Sequence, residues 1–178
     1  MTDGSNKIGG LVGDSTRVTY TDCHADGVAI SGGTNMGGFA GISGMSTFTN
    51  CNATGTVCGG WSLGGFVGYP SSIGVEGPDV FDHCTADVDV TGFDWNLGGF
   101  AGFLEDGTIT DCVAYGDVTS TLTAAQPKVG GFAGSVGNTD RGTSPSITDS
   151  HAAGVVTGAH PTIPAGGFVG YWDDATLT

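Results

Sequence analysis

The chain has 178 residues, 35 of them glycine, and sets 18 acidic residues against four basic ones (Lys7, Arg17, Lys128 and Arg141), for a formal charge of −14. Glycine at nearly three times its average usage of about 7%, without a three-residue period, excludes collagen; 38% hydrophobic and only 12% charged residues exclude a disordered chain. So acidic a surface also argues against nucleic acid and anionic membrane as partners, because phosphate binding needs clustered Lys and Arg.

From the amino terminus, Met1-Thr2-Asp3-Gly4-Ser5-Asn6 lacks the basic start and apolar core of a signal peptide. No apolar run approaches the roughly 18 residues of a membrane span. Gly and β-branched residues recur too often for long helices. The first structured element is Gly9-Gly10-Leu11-Val12-Gly13, and it returns as Gly37-Gly38-Phe39-Ala40-Gly41, Gly64-Gly65-Phe66-Val67-Gly68, Gly98-Gly99-Phe100-Ala101-Gly102, Gly130-Gly131-Phe132-Ala133-Gly134 and Gly166-Gly167-Phe168-Val169-Gly170. The intervals are 28, 27, 34, 32 and 36 residues, the mark of a repeat architecture.

A second element follows each pentapeptide: Thr19-Tyr20-Thr21-Asp22-Cys23, Thr47-Phe48-Thr49-Asn50-Cys51, Val80-Phe81-Asp82-His83-Cys84, Thr108-Ile109-Thr110-Asp111-Cys112 and Ser146-Ile147-Thr148-Asp149-Ser150, with an incomplete copy at Ala175-Thr176-Leu177-Thr178. One large apolar residue between two Thr predicts a short strand with the apolar side chain inward. Asp or Asn before the Cys predicts a corner. A third strand then alternates from the Cys, as in Cys51, Ala53, Gly55, Val57 and Cys112, Ala114, Gly116, Val118. One repeat cannot bury its own apolar face, but stacked repeats can. The prediction is an all-β, Gly-rich parallel β-solenoid (β-helix) of about five to six coils, three short strands per coil, with rungs about 4.8 Å apart. It runs as one array over residues 1–178, with repeats starting near residues 9, 37, 64, 98, 130 and 166, the last incomplete. Phe39, Phe66, Phe100, Phe132 and Phe168 (Leu11 in the first copy) should form one core column, and Cys23, Cys51, Cys84 and Cys112 another.

Gly-Gly-Phe-Val-Gly followed by Thr-Ile-Thr-Asp-Cys-x-Ala-x-Gly-x-Val resembles the GLUG repeat of bacterial and archaeal surface proteins, over residues 7–178. The third repeat departs with Val80, Asp82 and His83, and the fifth replaces Cys with Ser150. The resemblance implies an extracellular, adhesin-like or surface-structural role and carries over no catalytic residue.

The Cys column reads as buried thiols behaving as small hydrophobes, although neighbouring rungs stand within disulfide reach. Without Cys-x-x-Cys spacing, no zinc site is read; without the Gly-Gly-x-Gly-x-Asp nonapeptide, no calcium β-roll is read. Cys58 lies outside the column. Parallel β-helices also house polysaccharide-cleaving enzymes, and Asp82, Asp87 and Asp89 with Asp111 and Asp117 are the cluster to weigh for paired-carboxylate chemistry. A solvated acidic face explains them as well. His24, His83, His151 and His160 show no nucleophile-base spacing. No catalytic residue, cofactor or metal is therefore assigned. Trp61 and Trp95, each three residues before a Gly-Gly pair, either seal the core edge or stack as a glycan or partner platform. Thr19, Thr21, Thr47, Thr49, Thr108 and Thr110 form two outward columns similar to those of ice-binding solenoids. Loops at residues 69–79 and 135–145 vary in length and are recognition candidates. The first expectation is a non-enzymatic extracellular or cell-surface module, structural or adhesive, associating head to tail with other copies or with neighbouring repeats of a longer chain. A glycan- or ice-binding solenoid comes second and an acidic glycosidase third.

Overall fold

The computed structural model describes residues 6–71, 77–121, 127–137, 144–158, 165–173 and 175–178. Among them every regular element is a strand and every strand pair is parallel, stacked as a β-solenoid of about five turns. The short strands come from the repeat itself: an inward apolar residue every second position, then glycine or a residue at positive φ that turns the chain.

Each coil opens with a strand ending on the first Gly of the pentapeptide: Ile8–Gly9, Met36–Gly37, Leu63–Gly64, Asn96–Gly98, Lys128–Gly130 and Ala165–Gly166. These form the incoming ladder. The chain bends at the second Gly and the Phe, then continues as the outgoing ladder of Val12–Thr16, Ala40–Gly44, Val67–Pro70, Ala101–Leu104, Ala133–Val136 and Val169–Trp172. The Thr ladder follows: Thr19–Thr21, Thr47–Thr49, Val80–Asp82, Thr108–Thr110, Ser146–Thr148 and Thr176–Leu177. Last comes the Cys ladder of His24–Ser31, Asn52–Gly59 and Thr85–Gly92, continued in the next two coils by broken strands, Val113–Ala114 with Val118–Ser120 and His151–Ala152 with Val156–Thr157.

The three-segment coil expected from the sequence is present, with its Gly-Gly-Phe segment folded into two plies. Glycine makes that fold possible by lacking a side chain. A Cβ on Gly37 would stand 2.2 Å from the Ala40 carbonyl oxygen and 2.6 Å from that of Phe66; on Gly41, 2.6 Å from Ile8 N and 2.9 Å from Asn35 O. The outgoing ply thus lies backbone against backbone on the incoming ply. Gly38 meets the next coil, its added Cβ 2.2 Å from Gly65 O, and faces Ala53 of the Cys ladder at 3.1 Å.

Two aromatic columns fill the interior. Phe39, Phe66, Phe100, Phe132 and Phe168 stack with centroids 4.8–4.9 Å apart. Tyr20, Phe48 and Phe81 stack beside them at 5.0 and 4.8 Å, and Ile109 and Ile147 continue that column, fully buried. Rings of the two columns meet edge to face, as Phe66 and Phe81 do at 5.9 Å and 90°, the arrangement favoured by the ring quadrupole. Phe39, Phe66, Phe100 and Phe132 have no exposure, whereas Phe168 is half-buried and Leu11 exposed in the end coils.

Candidate functional site

The corner between the Thr and Cys ladders is built from Asp22, Asn50, His83, Asp111 and Asp149, all at φ between 48° and 52°. Asp and Asn tolerate this left-handed conformation better than other non-glycine residues. It turns their side chains outward in one column, where Asn50 Nδ2 donates to Asp22 Oδ1 at 2.5 Å. Only the third coil breaks the pattern, with Asp82 and His83 in place of Thr and Asp or Asn. His83 Nδ1 lies 2.8 Å from Asp82 Oδ1, and Nε2 lies 3.7 Å from Asp111 Oδ2 on the next coil. One donor atom from each of the three falls within 4.8 Å of the other two.

The five carboxylates weighed for catalysis do not converge. Asp82 and Asp111 share this corner, whereas Asp87, Asp89 and Asp117 project from the outer face of the Cys ladder. There Asp89 Oδ1 accepts the Asp117 N–H at 2.9 Å, and Asp117 Oδ1 accepts the Val155 N–H at 2.7 Å. These carboxylates tie coil to coil by binding backbone donors. His24 pairs with Asn52, and His151 meets the Tyr115 ring edge-on at 6.3 Å. His160 lies outside the described residues.

Trp61 and Trp95 stack on neighbouring coils, 6.0 Å between centroids and 30° between planes, each about half exposed. Phe93, 52% exposed, adds a third ring near Gly60, whose added Cβ would be 3.4 Å from Phe93 Cε2. Phe93 belongs to no repeat column, so no periodicity in the sequence marks it. Thr19 and Thr21 are exposed, while Thr47, Thr49, Thr108 and Thr110 are half-buried in the same two columns. Val80 and Asp82 interrupt both columns in the middle coil. Of the two loop regions singled out, residues 72–76 and 138–143 lie outside the described residues.

All five cysteines are free thiols. Cys51, Cys84 and Cys112 are buried, Cys23 is half-buried at the first coil, and Cys58 is exposed on the outer face. Burial pushes the Cys51 thiol up to about 11 and raises Cys112 as well, so both stay protonated and non-nucleophilic at neutral pH. Cys84 N–H points at Cys112 Sγ (3.3 Å), and Cys112 N–H donates to Ser150 Oγ (3.1 Å). The Ser of the fifth repeat therefore takes the place of a thiol in the same ladder.

A buried acidic group at the corner between the outgoing and Thr ladders escaped the sequence reading. Asp79 is 1% exposed, with Oδ1 accepting the Ser46 N–H at 2.7 Å and Oδ2 the Ser43 hydroxyl at 2.9 Å. Glu105, also buried, accepts from the Tyr69 and Ser71 hydroxyls, each at 2.5 Å. Asp106 is buried, with no hydrogen-bond partner for either carboxylate oxygen among the described residues. Burial drives the Asp79 carboxyl from 3.8 to about 7; its two donors oppose the shift and the charge of Asp106 adds to it. A carboxyl raised on folding holds its proton more tightly in the native state. Its stabilisation is complete below the ordinary value of 3.8 and is lost as pH rises to about 7. Asp79→Asn keeps the shape and removes the titration. Relative to that variant, the wild type should lose roughly 3–5 kcal/mol of unfolding free energy between pH 4 and 8, at 1.36 kcal/mol per pKa unit. Denaturant curves across that range check it, and parallel curves for the two proteins would contradict it.

Comparison with protein families matches the GLUG motif to residues 32–57 and 94–119. The chain carries GLUG motifs. Each match begins just past the Cys ladder, passes through the folded-back glycine segment and the Thr strand, and ends within the next Cys-ladder segment, so a GLUG motif here is about one coil. No curated protein and no solved structure matches the chain.

Proposed function

We propose that this GLUG solenoid is a non-enzymatic structural and adhesive module of the cell surface or extracellular space, whose end coils seat against like coils. The observation that carries the reading is the contrast between middle and ends. The interior columns have no exposure in the middle coils, yet the end coils expose Leu11 at 45% and Leu177 at 57%, with Tyr20 and Phe168 half-buried. The same edges leave backbone donors and acceptors unpaired. Both are matched by another coil of the same kind, from neighbouring repeats or from a second copy. Head-to-tail seating is heterologous and propagates as a filament. Sedimentation velocity and electron microscopy of the purified chain should show ordered end-to-end association, reduced by Leu177→Asp. A species that stays strictly monomeric at high concentration overturns the self-assembly.

The exposed rings of Trp61, Phe93 and Trp95 favour a second reading, in which the flank binds glycan by stacking sugar rings on the indoles. Tryptophan fluorescence titrated with acidic and neutral polysaccharides, in wild type and Trp95→Ala, tests it.

A further inference from the structure

We propose that His83 and Asp111, with Asp82 behind them, form a surface site for a borderline divalent metal ion of the Zn2+ class. The first ground is where the repeat departs from itself. Every other complete coil has Thr followed by a short corner residue here: Thr21-Asp22, Thr49-Asn50, Thr110-Asp111, Thr148-Asp149. The third coil substitutes both adjacent positions at once, with Asp82 and His83, and both substituents are metal-ligand types.

The second ground is the geometry. Asp82 Oδ1 sits 2.8 Å from His83 Nδ1 and holds the proton there, which leaves the Nε2 lone pair facing Asp111 Oδ2. Carboxylates commonly orient a metal-binding imidazole from behind in this way. The Nε2–Oδ2 separation of 3.7 Å is too long for a hydrogen bond. An ion about 2.0–2.2 Å from each of two donors at the tetrahedral angle holds them about 3.4 Å apart, so a small closure admits one. One imidazole nitrogen with carboxylate oxygen selects Zn2+, Ni2+ or Cu2+ over Ca2+ and Mg2+, which prefer oxygen alone. All three side chains reach solvent, and water fills the remaining positions, so the ion exchanges freely.

The test is a Zn2+ titration of the full chain with 15N-labelled histidine, followed through the ring nitrogens, in excess Mg2+ to saturate non-specific acidic binding. It uses a Cys58→Ser background, since Cys58 is the exposed thiol and the first coil has Ser31 at the paired position. His83 should shift and saturate near one equivalent while His24 and His151 stay in place. His83→Asn, which installs the residue type of Asn50, should abolish the response; Asp111→Asn and Asp82→Asn should each weaken it about tenfold or more. Asn suits the left-handed corner, so unchanged thermal midpoints should separate loss of binding from loss of fold. His83 resonances that do not move, that move no more than those of His24 and His151, or that respond identically in Asp111→Asn overturn the site and leave a plain His–carboxylate contact.

Discussion

Gly99→Ala should cost at least about 3 kcal/mol of stability, the upper range for an overpacked core, while the chemically identical Gly167→Ala should change it by no more than about 0.5 kcal/mol. Both are the second Gly of the pentapeptide. A Cβ on Gly99 would stand 2.1 Å from the Gly131 carbonyl oxygen of the next coil and 3.1 Å from Ala114 Cβ, whereas a Cβ on Gly167 meets nothing within 4 Å among the described residues. Because the obstacle at Gly99 is backbone held in a parallel ladder, no side-chain rotation relieves it. Denaturant unfolding of the two variants gives the comparison, and equal stability losses would show that glycine is needed here for conformation and not for contact. The same pair bears on assembly. If a like coil seats on the Gly167 edge, the added methyl should leave the isolated chain intact yet weaken association, repeating at the interface the clash that Gly99→Ala meets inside.

Phe100→Ala should destabilise the chain by about 3–5 kcal/mol. Phe100 is the middle of its column, stacked on Phe66 and Phe132 at 4.9 Å each and edge-on to Phe81 at 5.7 Å and 88°, with no exposure. Its removal takes away the apolar surface of one ring and the stacking of two neighbours. The coils above and below cannot close the gap, because ladder hydrogen bonds fix their spacing. Phe100→Leu should recover much of the loss by refilling the volume. A thermal shift near zero for Phe100→Ala would mean that the column is not core.

Much of this molecule is legible from local pattern. Thr-Phe-Thr needs only strand alternation to place Phe48 inside and Thr47 and Thr49 outside. Asp or Asn before the Cys marks a corner because those residues accept positive φ, and the structure finds it at Asp22, Asn50 and Asp111, at Asp149 before Ser150, and at His83 as well. Recurrence of both motifs at quasi-regular intervals implies a parallel stack, since only in-register coils bring like residues together.

Other features depend on neighbours that the sequence keeps far apart. Gly37 and Gly41 read as one flexible strand until the two plies are seen to touch. Asp79 looks like any turn carboxylate until the coils on either side bury it against Ser43, Ser46 and Asp106. Phe93 reaches Gly60, next to Trp61, only because consecutive Cys-ladder strands end beside one another. His83 and Asp111 belong to separate repeats, so no ligand spacing connects them along the chain. Their meeting is set by the register of parallel pairing, which aligns Asp82 with Thr110 and thereby sets the two corner residues one rung apart. Periodicity reports which way a side chain points; burial and contact across coils depend on register and on loops of unequal length, and these arise only when the coils close on one another.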